Sequence, residues 1–314
     1  MINLDKSFVA TVMRQALTRC LPDISSSEMA LSPLAKQLFE SLESQGIKEE
    51  IVRVGKKLWA RQYVDGNGGN ISYRLSHDYV LCTPTLCSKG DLTVDDICLV
   101  SLENEKAVGT RAHTSEILLH LEIYRSVPGA RAVIHCHPPH ATAYAITGLI
   151  PPGMIIPEQE VFVGPVALAP YETPGTKAFA ETVLPYAQHH NTILLANHGI
   201  VCWADTVTHA EWYVEVVETY CHTLMLASQL GVPIQNIPAG KIADLLQIKQ
   251  KLGLPDARLA RRPEAAKIPE PARSEPAVAE NPSAACGDAP GDQAFDALVA
   301  RVTEQVLRFL SEGK

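Results

Sequence analysis

Arg131-Ala132-Val133-Ile134-His135-Cys136-His137 is a short apolar run that ends in two histidines one residue apart. As a strand it alternates its side chains between two faces, so His135 and His137 point the same way. Two imidazoles side by side make half of a metal site. An isolated His-x-His is more often an ordinary pair at a strand end, so its meaning depends on what surrounds it.

Just upstream, Pro128-Gly129 ends a helix that runs to about Tyr124. Thr114 or Ser115 can cap that helix, which places Glu116 in its first turn, where the helix dipole favours a carboxylate. Taken alone, Glu116 is only a solvated first-turn acid. Downstream, Pro138-Pro139 stops the strand, and residues 140–146 read as a helix. Strands are expected at 154–156, 160–163 and 166–168, followed by one helix over 177–189. Thr192 to Ala196 is an apolar run that reads as a buried strand ending at Asn197-His198-Gly199. A lone strand-end histidine is usually structural, but Gly199 beside it points to close approach of backbone or ligand. A long helix over 206–230 and a shorter one over 242–252 follow.

Further toward the N-terminus, Asp65-Gly66-Asn67-Gly68-Gly69-Asn70 suits either a plain hairpin turn or an anion held on backbone N–H groups. Tyr79 to Thr83 reads as a strand that runs into Pro84-Thr85-Leu86-Cys87-Ser88-Lys89-Gly90, where hydroxyls and a lysine suit a phosphate. Ile97 to Ser101 is another strand, with a turn at Asn104. Residues 1–46 read as two helices, the second opening at Pro33 and closing at Gly46. A third spans 49–61 with Ile51, Val54 and Leu58 on one side.

The chain has 314 residues, of which 46% are hydrophobic and 20% charged, enough for one large domain with appendages or two small ones. A net charge of -8 and a pI near 5.8 argue against nucleic acid as the main partner. No apolar run approaches the roughly 20 residues that span a bilayer, and the first residues lack the pattern of a secretory signal. Eight cysteines without a C-x-x-C pair look like a reduced inventory, which places the chain in the cytoplasm.

His135, His137 and His198 together suit neutral-imidazole zinc ligation, with a fourth position left for substrate. Glu116 lies one helix upstream of the pair and could reach the same centre. Such a centre polarises a carbonyl or enediolate while a carboxylate moves the proton. That is the chemistry of aldol cleavage beside a ketone.

Six short motifs then stand in the order found in the class II aldolase/adducin family, which the chain resembles over about residues 47–230. They are Gly69-Asn70-Ile71-Ser72 with Arg74, Thr83-Pro84-Thr85, Ser115-Glu116 with His120 and Tyr124, His135-Cys136-His137 with Pro138, Pro170-Tyr171 with Gly175-Thr176, and Asn197-His198-Gly199. The resemblance implies a mixed α/β fold with a central antiparallel sheet flanked by helices in three layers. It also implies a cyclic homotetramer with sites between subunits, and one zinc ion per subunit on His135, His137 and His198. Glu116 would be both resting-state ligand and acid/base. By position, Asn70, Thr85, Thr114 and Ser115 would hold a substrate phosphate. Two departures stand out. Leu86 replaces a glycine of the phosphate turn, with Lys89 as a compensating charge, and Pro157-Glu158-Gln159-Glu160 stands near the place where the aldolases carry a catalytic tyrosine.

The resemblance implies cleavage of a 6-deoxy-ketohexose 1-phosphate, of the fuculose or rhamnulose type, to dihydroxyacetone phosphate and lactaldehyde. The alternatives within the family are a ketopentose-phosphate 4-epimerase and a sugar-acid phosphate decarboxylase. A third, of another class, is a non-catalytic adducin-like binding protein. Glu116, His135, His137 and His198 argue against it, since a site without chemistry has no reason to keep all four. The expected organisation is a helical extension (1–46), a catalytic domain (47–255), a Pro/Ala-rich disordered linker (256–292) and an amphipathic helix (293–314). Phe295, Leu298, Val299, Val302, Val306, Phe309 and Leu310 form its apolar stripe. Linker and helix resemble the encapsulation peptides of bacterial microcompartment enzymes, which implies shell proteins as partners and a location inside such a compartment.

Overall fold

The computed structural model describes residues 33–103, 107–254 and 256–260. The helix expected before Pro33, the turn at Asn104, the linker beyond Ala260 and the C-terminal helix lie outside the described residues. Among the described residues eight strands form one sheet: β1 Asn70–Arg74, β2 Tyr79–Cys82, β3 Cys98–Ser101, β4 Ala107–Val108, β5 Ala132–Cys136, β6 Ala167–Ala169, β7 Thr192–Leu195 and β8 Gly199–Ala204. Their order is β4-β3-β2-β1-β5-β8-β7-β6. All neighbours are antiparallel except β6 and β7. The helices are α1 Pro33–Phe39, α2 Leu42–Ala60, α3 Ile117–Ser126, α4 Pro139–Thr147, α5 Lys177–Glu181, α6 Leu184–Ala187, α7 Val207–Ser228, α8 Ala239–Lys251 and α9 Ala257–Ala260.

The histidine strand is β5, buried along its whole length between β1 and β8. Its alternation divides the core. Ile134 and Cys136 join one apolar cluster with Ile51, Val54 and Leu58 of α2 and Val214 and Val217 of α7. Val133 joins the other, with Ile117 and Leu121 of α3 and Phe179 of α5. Each of these buried aliphatic side chains contributes about 1.5–3 kcal/mol. Covering both faces with helices produces the expected three layers. No helix among the described residues is long and apolar enough to cross a membrane. The six described cysteines are free and buried.

Several expected boundaries move. Gly46 does not end a helix but lies inside α2, where the space beside it is open. The break falls instead at Ser41, whose side chain accepts from the Ser44 N–H at 3.1 Å and caps α2. The 154–156 segment is not a strand, and residues 160–163 form a π-helical turn, Gln159–Val163. Gly164, with φ +80, ends that turn, and the Gln159 amide donates to its carbonyl at 2.9 Å. The helix expected over 177–189 is two short helices, the second starting at Leu184-Pro185, where proline fits a first turn.

The fold also continues past residue 255, into the stretch expected to begin the linker. Asp256 is buried, with Lys249 Nζ 3.0 Å away and Arg258 Nη2 at 2.7 Å. Arg258 also pairs with Glu160 at 2.6 Å, and Lys249 donates to the Val163 carbonyl at 3.0 Å. The network therefore clamps the end of the chain's described part to the π-helical turn. Burial pushes the Asp256 carboxyl up, but the Arg258 hydrogen bonds and the Lys249 charge outweigh it and hold it at about 2. Its stabilisation is thus complete above the ordinary carboxylate range and lost as pH falls through about 2. Asp256→Ala leaves the Lys249 ammonium buried without its carboxylate. That should cost about 3–5 kcal/mol, read as a lower urea midpoint at neutral pH. An unchanged midpoint would place the clasp outside the cooperative fold.

Candidate active site

The register of the sheet assembles the centre. Asn70 stands opposite His135 on β1, and His135 opposite Val201 on β8. His135 Nδ1 donates to the Ile200 carbonyl at 2.9 Å, which turns the lone pair of Nε2 into the site. His137 follows one residue past the strand, with its Nε2 3.0 Å from His135 Nε2. His198 arrives from the hairpin between β7 and β8, where Asn197 takes φ +56, a conformation asparagine tolerates. Gly199 is needed next to it, because a Cβ there would lie 2.4 Å from the Cys136 carbonyl and 2.7 Å from His137 Cδ2. Ligand atoms of His135, His137 and His198 all lie within 4.8 Å of one another.

Glu116 completes the group. It occupies the N-cap position of α3 rather than the first turn, and neither Thr114 nor Ser115 caps the helix. Its Oε2 is 3.3 Å from His135 Nε2, and its Oε1 is 3.5 Å from His198 Nε2. Burial, followed by the charges of its two histidine neighbours, pushes His135 far below the usual imidazole range. Burial first and His198 second push His137 down to about 4. Burial also lowers His198, against the pull of Glu116. All three are therefore neutral donors at pH 7. The ring of Phe179 lies 5.4 Å from that of His198, and His198 Nδ1 is buried without a partner. Three neutral, convergent imidazoles beside one carboxylate fit a divalent cation of the zinc type.

The residues expected to hold phosphate surround this centre unevenly. Asn70 is buried, and its Nδ2 donates to Glu116 Oε2 at 2.9 Å, which leaves one amide N–H for another partner. Lys89 is not a surface charge. It is 1% exposed, and its ammonium donates to the Cys87 carbonyl at 3.0 Å and the Asn67 carbonyl at 3.3 Å. It therefore braces the glycine-rich loop, and burial lowers it to about 8. The half-buried Thr85 and the buried Thr114 lie on segments joined by the Pro84–His113 bridge, while Ser115 is exposed. Leu86, where the resemblance expects a glycine, takes a left-handed conformation, with φ +51 and 77% exposure. A leucine there costs about 1–2 kcal/mol relative to glycine. In the glycine-rich loop Gly69, with φ +69, has no room for a Cβ, which would lie 2.6 Å from Val64 Cγ1 and 3.0 Å from the His135 carbonyl.

Two buried residues behind Glu116 had no role on sequence grounds. His120 and Tyr124 follow Glu116 on α3 at intervals of four, toward Asn70 and Ser72 of β1. His120 Nε2 meets Asn70 Oδ1, and its Nδ1 lies 2.6 Å from Ser72 Oγ. Ser72 Oγ in turn is 2.8 Å from the Tyr124 hydroxyl. The legible signal was the pairing of Asn-x-Ser on a strand with Glu-x3-His-x3-Tyr on a helix, two periodicities that can share one interface. A cleft of about 560 Å³ opens beside His137, lined among others by Trp59, Gln62, Asp65 and Pro139.

Residues 49–225 match the class II aldolase and adducin N-terminal domain. A 3-oxo-tetronate 4-phosphate decarboxylase of Escherichia coli is 32% identical over 205 residues, 64% of this chain and 95% of that protein. An L-fuculose phosphate aldolase of Methanococcus maripaludis is 35% identical over 170 residues, 54% of this chain and 91% of that protein. Among solved structures, an Escherichia coli protein described as an aldolase/epimerase/decarboxylase superposes with a TM-score of 0.61 at 29% identity, covering 65% of this chain and 99% of that one. An L-fuculose 1-phosphate aldolase superposes with a TM-score of 0.60 at 28% identity, covering 67% and 97%.

Proposed function

This chain belongs to the class II aldolase and adducin family, and from that premise we propose that it cleaves a 6-deoxy-ketohexose 1-phosphate to dihydroxyacetone phosphate and lactaldehyde. It is an enzyme of the lyase class, and its relatives include aldolases of sugar phosphates. One observation carries the reading: a buried carboxylate, Glu116, stands within 3.5 Å of imidazole nitrogens of both His135 and His198. A divalent ion held by His135, His137 and His198 would supply Lewis-acid stabilisation of negative charge on the substrate's carbonyl and hydroxyl oxygens. The protein does the rest. Glu116 receives and returns the proton at the carbon beside the ketone, held by Asn70 as it does so. The cleft beside His137 has room for the sugar chain. The Gly69-Asn70 loop, the Thr85 turn and the Thr114-Ser115 segment hold the phosphate, and Lys89 braces the loop from below.

A second reading has support of its own, because the decarboxylase relative matches over 95% of its length. Loss of CO₂ from a 3-oxo-tetronate 4-phosphate and aldol cleavage of the ketose phosphate leave the same fragment, the enediolate of dihydroxyacetone phosphate. One site can therefore serve either leaving group, and only the aldol route needs a base for a substrate hydroxyl. The decisive experiment incubates the purified chain with fuculose 1-phosphate, rhamnulose 1-phosphate, ribulose 5-phosphate and 3-oxo-tetronate 4-phosphate. Dihydroxyacetone phosphate is read by a coupled assay. Lactaldehyde as co-product supports the first reading, CO₂ supports the second, and no turnover of any would remove both.

The proposal extends to assembly. We infer a cyclic homotetramer with sites between subunits, zinc as the ion, and binding of residues 293–314 to microcompartment shell proteins. The first rests on the family resemblance and the second on the three converging histidines, while the shell proposal is supported by the Pro/Ala-rich linker and the apolar stripe from Phe295 to Leu310, together with the volatility of lactaldehyde. If residues 290–314 fused to a fluorescent protein stay diffuse beside assembled shells, the shell proposal falls.

A further inference from the structure

The hydrogen bonds behind Glu116 have only one consistent direction. Asn70 Nδ2 lies 2.9 Å from Glu116 Oε2. The opposite amide orientation would set a carbonyl oxygen against a carboxylate, so Asn70 Oδ1 must face His120. That oxygen only accepts, hence His120 Nε2 carries the proton. The ring is buried and neutral, so Nδ1 accepts, and its donor is the Ser72 hydroxyl at 2.6 Å. Ser72 has a single proton, so the Tyr124 hydroxyl donates to Ser72 Oγ at 2.8 Å. Each proton from Ser72 through His120 and Asn70 to Glu116 thus has one place. The far end is closed: Tyr124 is 1% exposed, and among the described residues its hydroxyl's other partner is the Arg131 carbonyl, a more distant acceptor for the same proton at 3.4 Å. A line that begins at a buried phenol conducts nothing from solvent, so its work is orientation.

We propose that His120 is a positioning residue for Glu116: fixed as the Nε2–H tautomer, it locks the Asn70 amide so that an N–H, never the carbonyl oxygen, faces the carboxylate. Without that lock the Asn70 side chain can turn over, and Glu116 loses the partner that holds Oε2 beside His135. The proposal rests on reading Glu116 as the proton-moving group, but its geometric half stands apart from any reaction.

Both halves can be tested separately. The first experiment labels the histidines of the full zinc-loaded chain with ¹⁵N and records long-range ¹H–¹⁵N correlations from pH 6 to 8. The signal lost in His120→Gln identifies His120. It should show the neutral Nε2–H pattern throughout, and an Nδ1–H or imidazolium pattern would overturn the proposal. The second compares kcat and KM on whichever substrate the panel identifies. His120→Leu should lower kcat by about 10–100-fold, as outer-shell partners of metal sites do, with KM and bound metal within about twofold. His120→Gln keeps a donor for Asn70 and should recover most of the loss. Full activity in His120→Leu, or no recovery in His120→Gln, overturns the positioning role. If instead Glu116→Gln turns over normally while the tautomer is as stated, the catalytic reading fails and the hydrogen-bond line survives.

Discussion

His198→Ala is expected to lose most of its bound metal and all measurable turnover, with the fold intact. A site of this kind divides roughly 10–16 kcal/mol of binding free energy among about four ligands. One imidazole is then worth about 2.5–4 kcal/mol, or about 10²–10³-fold in affinity at 1.4 kcal/mol per decade. His198 is the better probe than His135. It sits on the β7–β8 hairpin, 16% exposed at its side chain, whereas His135 is fully buried in the central strand. Alanine at 135 would also open a cavity and leave the Ile200 carbonyl without its donor. Metal is counted by elemental analysis after dialysis against a weak chelator, and far-ultraviolet circular dichroism reports the fold. Undiminished metal in both His198→Ala and His135→Ala would rule out this ligand set. Metal lost without loss of turnover would keep the ligands and remove the ion from the reaction.

Much of this centre was legible because it depends on local pattern. Val133 and Ile134 mark β5, Pro138-Pro139 stops it, and period-2 geometry then sends His135 and His137 the same way. The apolar run before Asn197 announced the second strand end in the same manner. What failed was decided at long range. The 160–163 segment has the branched residues of a strand, but Gly164 and a lysine 86 residues away from Val163 fold it into a π-helical turn. Gly46 looked like a helix end because glycine is a good one, yet in an exposed helix it costs only about 1 kcal/mol relative to alanine and was tolerated. Lys89 reads as a charge for phosphate, since nothing in its own turn reveals that the Asn67 carbonyl, 22 residues earlier, accepts from it. The line through His120 and Tyr124 was half visible. Its residues stand in the sequence motifs, but their roles depend on α3 lying against β1, which no single-segment pattern contains.

Glu116→Gln separates the carboxylate's chemistry from its place in the fold. The substitution conserves volume, and the amide oxygen can still accept from Asn70 Nδ2, now at 2.9 Å from Glu116 Oε2. His135, His137 and His198 remain, so most of the metal should stay. What disappears is a group able to take a proton near the imidazole nitrogens 3.3 and 3.5 Å away. Turnover should fall by about 10²–10⁴-fold, the range for a general acid–base residue, with KM changed little. The sharper measurement uses the product alone. Dihydroxyacetone phosphate in deuterated water should exchange a carbon-bound hydrogen on the wild-type enzyme, because returning that proton is the reverse of delivering it. The exchange, followed by NMR, needs no knowledge of the sugar or of the leaving group. It should nearly vanish in Glu116→Gln. Exchange at the wild-type rate in the variant would leave Glu116 as a carboxylate favoured only by the N-terminus of α3, and another residue would have to move the proton.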